Sequence, residues 1–192
     1  MTNICDNNLI NPNWAKHGYI QVYTGNGKGK TTASLGLAMR ALGRCWKVLI
    51  VMFTKGGDDY GELKSFRNLS DEINNNLTIV QAGLDRIVYT DNKNDLDKEE
   101  VQKGWQLAKK AILNDEYNLI ILDEANIAID LGLIELEEVL DVLKHKPEDM
   151  EIVLTGRNAR PEIIEIAHLV SEITPVKHYW DTGIAAREGI EY

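Results

Sequence analysis

The run Gly25-Asn26-Gly27-Lys28-Gly29-Lys30-Thr31-Thr32 combines the residue types needed to wrap a polyphosphate. Glycines let backbone N–H groups turn inward around an anion, a curvature that side chains would obstruct. Lys30 then offers a point charge to the terminal phosphates, and the Thr31 hydroxyl offers a ligand to the magnesium ion that accompanies a triphosphate. Lys28 adds a charge inside the loop and is open to a phosphate contact or to plain solvation. The spacing departs from the common GxxxxGK(S/T) pattern once, where Thr24 stands at the first glycine position. A triphosphate-bound magnesium ion usually receives an acidic ligand from the end of a second buried strand, and the apolar run Leu119–Leu122 leads into Asp123-Glu124. The same pair could instead cap a helix starting near Ala125.

These groups work only if strands and a helix present them together. Apolar runs alternate with longer amphipathic stretches, the pattern of a parallel sheet flanked by helices, so the fold class is α/β. The periodicity predicts strands at Tyr19–Tyr23, Val48–Phe53, Leu77–Gln81, Leu119–Leu122, Ile152–Thr155 and Leu169–Thr174. After the glycine loop, Ala33, Leu37, Ala38, Ala41 and Leu42 share one face of a helix closed by Gly43, whose N-terminal dipole would face the anion. Residues Asp97–Glu100 have the spacing of a capping box ahead of Val101, Trp105, Ala108 and Ile112. A further helix is expected around Leu136, Val139, Leu140 and Leu143, and another from Pro161. Lys55-Gly56-Gly57 lies in a polar stretch that leaves the second strand as a loop.

The 192 residues suffice for one sizeable core, so residues 18–192 read as a single domain. Segment 1–17 is polar and Asn-rich; its composition suggests a mobile stretch, and it lacks the pattern of a secretory signal, which points to a cytoplasmic protein. No apolar run is long enough to span a bilayer. With 30 acidic against 21 basic side chains the net charge is −9, which disfavours nucleic acid as a partner but not a small phosphorylated ligand. Cys5 and Cys45 form no CxxC pair and have no metal-like spacing to the four histidines, which argues against a structural zinc site.

The glycine loop, Phe53-Thr54-Lys55-Gly56, Leu122-Asp123-Glu124, Thr155-Gly156-Arg157 and the tail from Pro175 to Tyr192 occur together in an order and spacing that resemble the P-loop corrinoid adenosyltransferases. That family has a RecA-like P-loop NTPase fold. The resemblance implies attack of a corrinoid's cobalt(I) on the 5′ carbon of ATP, with release of the whole triphosphate. It implies that Lys30, Thr31 and Glu124 carry the chemistry, that Gly25 to Thr32 hold the triphosphate, and that magnesium is held by Thr31 and Glu124 with Asp123 adjacent. Arg40 and Arg157 match family arginines near the phosphates or the site's edge, with a surface ion pair as the alternative. Tyr89 falls where an aromatic faces the corrinoid, and Ile87 where some members carry a second; a partly buried loop tyrosine is the alternative for Tyr89. The tail, with His178 and Trp180, would close over the nucleotide, and the N-terminal segment would cover a neighbouring subunit's site. A homodimer and an electron-donating reductase or flavoprotein are also implied. The loop and acidic pair by themselves allow a P-loop ATPase or kinase equally well, or a nucleotide-binding regulator without turnover.

Overall fold

The computed structural model describes residues 17–192 except Ser70, so the expectations for segment 1–17 fall, apart from His17, outside the described residues. In chain order the elements are β1 (Ile20–Thr24), α1 (Lys30–Leu42), β2 (Val48–Phe53), α2 (Gly61–Arg67), α3 (Asp71–Asn74), β3 (Leu77–Ala82) and α4 (Asp95–Leu113). There follow β4 (Leu119–Asp123), α5 (Ala125–Asp130), α6 (Leu136–Lys144), β5 (Glu151–Thr155), α7 (Pro161–Ile166), β6 (Leu169–Glu172) and a 3₁₀ turn at Tyr179–Thr182.

All neighbouring strands are parallel, in the order β3-β2-β4-β5-β1-β6. A parallel sheet needs cover on both faces, and the continuous apolar strands β2 and β4 are buried along their whole length. Alternation divides β2 between two cores. Leu49, Val51 and Phe53 join Trp105 and Ile112 of α4 and Val139 and Leu143 of α6, whereas Val48, Ile50 and Met52 join Ala38 and Leu42 of α1 and Phe66 of α2.

Two helices differ from the sequence pattern in phase or start. On α1 the buried stripe is Lys30, Ser34, Ala38, Ala41 and Leu42, with Ala33 exposed. The rotation follows from Lys30, whose side chain must turn back into the loop instead of toward solvent. α4 begins at Asp95, because Asn94 is the cap: its side chain accepts from the N–H groups of Leu96 and Asp97, and Asp97 answers as the third helical residue by accepting from Asn94 N–H at 2.9 Å. Asp97 therefore closes the capping box instead of opening it. Its carboxylate also takes the Arg86 guanidinium, which fixes the segment after β3.

α4 reaches the sheet closely only because Gly104 has no side chain. A Cβ there would lie 2.2 Å from Ala82 Cβ and 3.3 Å from Val51 Cγ1. Alanine normally helps a helix by about 1 kcal/mol, but here overpacking outweighs that gain. Gly104→Ala should lower stability by about 1–3 kcal/mol in urea unfolding, with an unchanged m-value.

Glu138 of α6 ties the two helices, accepting from Trp105 Nε1 and Lys109 Nζ, each at 2.8 Å. The Lys109 hydrogen bond, assisted by that from Trp105, holds the Glu138 carboxyl below its ordinary range. The ionised form is thus preferred in the folded chain, and the unfolded chain binds more protons at acid pH. This stability is fully present above the ordinary glutamate value and is lost as pH falls through the depressed one. In urea melts followed by tryptophan fluorescence, Glu138→Gln should lose stability at pH 7 and differ little from the parent at the lowest pH that still supports folding.

Candidate functional site

The four central strands β2, β4, β5 and β1 all leave the same edge of the sheet through a residue with positive φ: Thr54 (57°), Glu124 (57°), Gly156 (124°) and Gly25 (93°). Each chain turns at once instead of running on, so the groups just beyond the strand ends gather over one edge. The phosphate loop is braced from behind by the residue after β6. Gly27 N–H donates to Ile173 C=O at 2.7 Å, and a Cβ on Gly25 would fall 2.6 Å from that same oxygen.

Lys30 opens α1 with its side chain folded into the loop, where Nζ donates to Gly25 C=O and Gly27 C=O, both at 2.8 Å. Burial lowers its proton affinity, and the Glu124 charge opposes that effect. The ammonium is therefore enclosed by backbone and poised at the concave side of the loop. Asn26, Lys28, Gly29, Thr31 and Thr32 line the same cleft.

Asp123, at the end of β4, has no exposed surface. Its Oδ1 accepts from Thr155 Oγ1 at 2.7 Å and its Oδ2 from Lys55 Nζ at 2.7 Å. Thr155 Oγ1 in turn accepts from Glu124 N–H at 2.9 Å, so one hydroxyl orders both members of the acidic pair. Lys55 Nζ also donates to Thr31 Oγ1 at 3.2 Å. Burial alone would lower the Lys55 proton affinity, but Asp123 and Glu124 together raise it. The Glu124 carboxyl is pushed up by burial and by the neighbouring Asp123 charge.

A magnesium ion fits this donor set. The Thr31 hydroxyl and the Asp123 carboxylate already converge on one cation, the Lys55 ammonium, with Glu124 adjacent. Among the described residues no cluster of three or more His, Cys, Asp or Glu side chains could hold a metal by itself. The ion would draw its remaining ligands from phosphate oxygens and water, as magnesium commonly does.

The cleft measures about 1360 Å³. Its lining includes segment 85–90 and parts of the C-terminal tail. Asn92 pins the first of these, accepting from Tyr89 N–H at 2.7 Å and donating to Ile87 C=O at 3.1 Å. This leaves the Ile87 and Tyr89 side chains 69% and 58% exposed, and Trp180, at 79%, lines the same cleft. The tail is anchored on the loop: Lys28 Nζ donates to Ile190 C=O at 2.7 Å and pairs with Glu191 at 3.4 Å. Arg187 joins Glu191 at 3.2 Å and stacks over the Tyr179 ring at 4.6 Å. The Arg187 hydrogen bond holds the Glu191 carboxyl down at about 2.

Most residues singled out from sequence thus meet at one site. Arg157 lies on the cleft beyond Gly156. Arg40 does not join them; it is exposed in the last turn of α1, at the opposite end of that helix from Lys30. Lys28 is engaged by the tail. Lys55 and Thr155 are site residues that loop-and-acid logic does not flag. The available signal is position, since each sits at or just beyond the end of a buried apolar run, level with Asp123.

A parallel sheet with a glycine loop after one strand, a buried acid at the end of another and a single strand between them defines the P-loop NTPase class. The chain belongs to the ATP:corrinoid adenosyltransferase family, described as BtuR/CobO/CobP, which matches residues 16–192. It is 36% identical to the corrinoid adenosyltransferase of Escherichia coli K12 over 92% of this chain and 87% of that one. It is 34% identical to the corrinoid adenosyltransferase CobA of Salmonella typhimurium over the same shares. A Nostoc protein described as uncharacterized is 37% identical over 90% of this chain, which spans about half, 48%, of that relative's length. Among solved structures, an ATPase of the type III secretion system of pathogenic bacteria overlays 87% of this chain and 54% of its own at 15% identity with a TM-score of 0.48, too slight a likeness to bear on function. Among the described residues no helix is long and apolar enough to cross a membrane.

The Thr155 hydroxyl can be tested by an isosteric change. Thr155→Val leaves Asp123 Oδ1 without its donor and Glu124 N–H without its acceptor, both in a buried setting. A loss of at least about 2 kcal/mol is expected in denaturant unfolding, and Thr155→Ser should restore most of it.

Proposed function

We propose that this protein transfers the 5′-deoxyadenosyl group of magnesium-ATP to the cobalt(I) of a corrinoid, cobalamin or a precursor, and releases triphosphate. The observation that carries the reading is the shape of the cleft. It joins a phosphate loop to a wall with exposed Ile87, Tyr89 and Trp180, and its volume of about 1360 Å³ exceeds the roughly 300–1,000 Å³ typical of a site for one small molecule. That is more room than a nucleotide alone needs, which supports a second, apolar-faced partner beside it.

The reaction asks little acid–base chemistry of the chain. Cobalt(I) brings the electron pair that forms the cobalt–carbon bond, and the carbon–oxygen pair departs with the triphosphate. The protein must align the 5′ carbon with cobalt and neutralise a leaving group whose charge grows. The loop N–H groups and Lys30 serve the triphosphate, with Arg157 at the rim. Thr31 and the Asp123-Glu124 pair would hold magnesium, whose charge offsets that of the phosphates when bound. Tyr89 and Trp180 offer ring faces to an apolar partner and exclude water from its near side. The same reading entails an electron donor, a reductase or flavoprotein, to supply cobalt(I), and a homodimeric working form.

The rival is a P-loop ATPase or kinase that cleaves the terminal phosphate. An anaerobic assay with magnesium, ATP and chemically reduced cobalamin separates the two. A light-sensitive alkylcobalamin formed together with triphosphate is expected; orthophosphate or ADP without alkylation would replace this reading with the rival. Lys30→Ala should keep its circular dichroism spectrum and lose roughly 10²–10³-fold in turnover.

A further inference from the structure

The mechanism above leaves Lys55 without a task, yet its ammonium is held between Asp123 and Thr31. β2 ends at Phe53, and Thr54 turns the chain with φ 57° so that Lys55 points back over the sheet edge. Its backbone is clamped by two glycines that meet back to back. A Cβ on Gly83 would lie 2.4 Å from Lys55 N, and one on Gly56 would lie 2.5 Å from Gly83 C=O. The side chain is 17% exposed and bridges Asp123 Oδ2 at 2.7 Å and Thr31 Oγ1 at 3.2 Å, which are the groups suited to magnesium. Tyr60 places its ring 5.9 Å from the ammonium on the cleft side.

An ammonium 2.7 Å from Asp123 Oδ2 and 3.2 Å from Thr31 Oγ1 stands where a divalent cation bound by both oxygens would sit, and two cations so placed repel each other strongly. We propose that Lys55 is the resident cation of the Thr31–Asp123 pair, that it yields this pair to magnesium arriving with triphosphate, and that its displaced ammonium then serves the leaving triphosphate. The direction of the exchange follows from the clamp. With the backbone held by Gly56 and Gly83, only the side chain can swing, so Nζ stays inside the cleft, where the triphosphate is the new anion. As the carbon–oxygen bond breaks and its electron pair goes to the triphosphate, that charge is met by Lys55 as well as by Lys30. The buried Asp123 carboxylate is thereby partnered in both states, which removes the cost of leaving a buried charge unpaired when no metal is bound.

The inference rests on the cleft being a magnesium-triphosphate site, but it does not depend on the corrinoid. In the unaltered protein, ¹⁵N-lysine NMR should show an ordered ammonium coupled to Asp123 without metal, and its signal should shift on adding magnesium with inorganic triphosphate. If magnesium and triphosphate bind and that signal stays unchanged, the Lys55 exchange is overturned while the functional reading stands. Absence of any magnesium-triphosphate binding would remove both.

A second arm uses Mn²⁺ alone, counted by loss of the free-ion EPR signal. Lys55→Met should bind Mn²⁺ at least about tenfold more tightly than the parent because the repelling cation is gone, and Lys55→Arg should stay close to the parent. Equal Mn²⁺ affinity in the parent and a folded Lys55→Met variant would sink the proposal. With saturating magnesium-ATP, Lys55→Met should lower kcat more than it alters KM.

Discussion

A carboxylate buried at the end of the central strand β4 has to be surrounded by groups that replace water, and most of the site's architecture follows from meeting that need for Asp123. Desolvating a charge without partners costs several kcal/mol. Its partners come from both neighbouring strands, Lys55 from beyond β2 and Thr155 from the end of β5. Through the Lys55 contact to Thr31, the start of α1 is drawn into the same network. The parallel register makes this possible, because Met52 lies opposite Asp123 and Leu122 opposite Leu154, so the strands finish level with one another.

The site is built from two unlike halves. At the phosphate end, backbone geometry dominates: positive-φ residues turn the four central strands, glycines permit close approach, and Ile173 braces the loop. Little there can be substituted without moving main chain. Along segment 85–90 and the tail, side chains dominate, and large apolar groups stand exposed on backbones held by polar contacts such as Asn92 with residues 87 and 89. Isolated exposed apolar residues are ordinary on a protein surface, whereas Ile87, Tyr89 and Trp180 line one and the same cleft. The division suits a reaction in which one substrate is gripped by charge and the other by shape.

Strand positions were readable from sequence because buried parallel strands leave continuous apolar runs, and Val48–Phe53 needed no further information. The glycine loop and the acidic pair were readable because their chemistry requires particular residue types at fixed spacing. What escaped is long-range. Nothing local shows that Lys55 meets Asp123 across the sheet, or that Thr155 orders the acidic pair, since both facts arise from strand order. The face of α1 shifted because Lys30 is a charged residue made to point inward, which an apolar periodicity does not count. The start of α4 shifted because Asn94 and Asp97 form a capping box with an acid shorter than the glutamate or glutamine usually sought. Arg40 shows the converse: a position in a matching helix does not by itself bring a side chain to the site.

Two lysines of the cleft, Lys28 within the phosphate loop and Lys55 beyond β2, respond to different surroundings. Lys28 is joined to the tail through Glu191, and both side chains are open to solvent, at 40% and 22% exposure. Dissolved ions screen such a pair, and at physiological salt the screening length is about 8 Å. Lys55 and Asp123, at 17% and 0% exposure, are much less open to mobile salt. Rising ionic strength would therefore loosen the tail's hold on the cleft while leaving the buried pair intact. The tail contact and the buried acid thus answer to the solution differently, the first through its total salt and the second hardly at all.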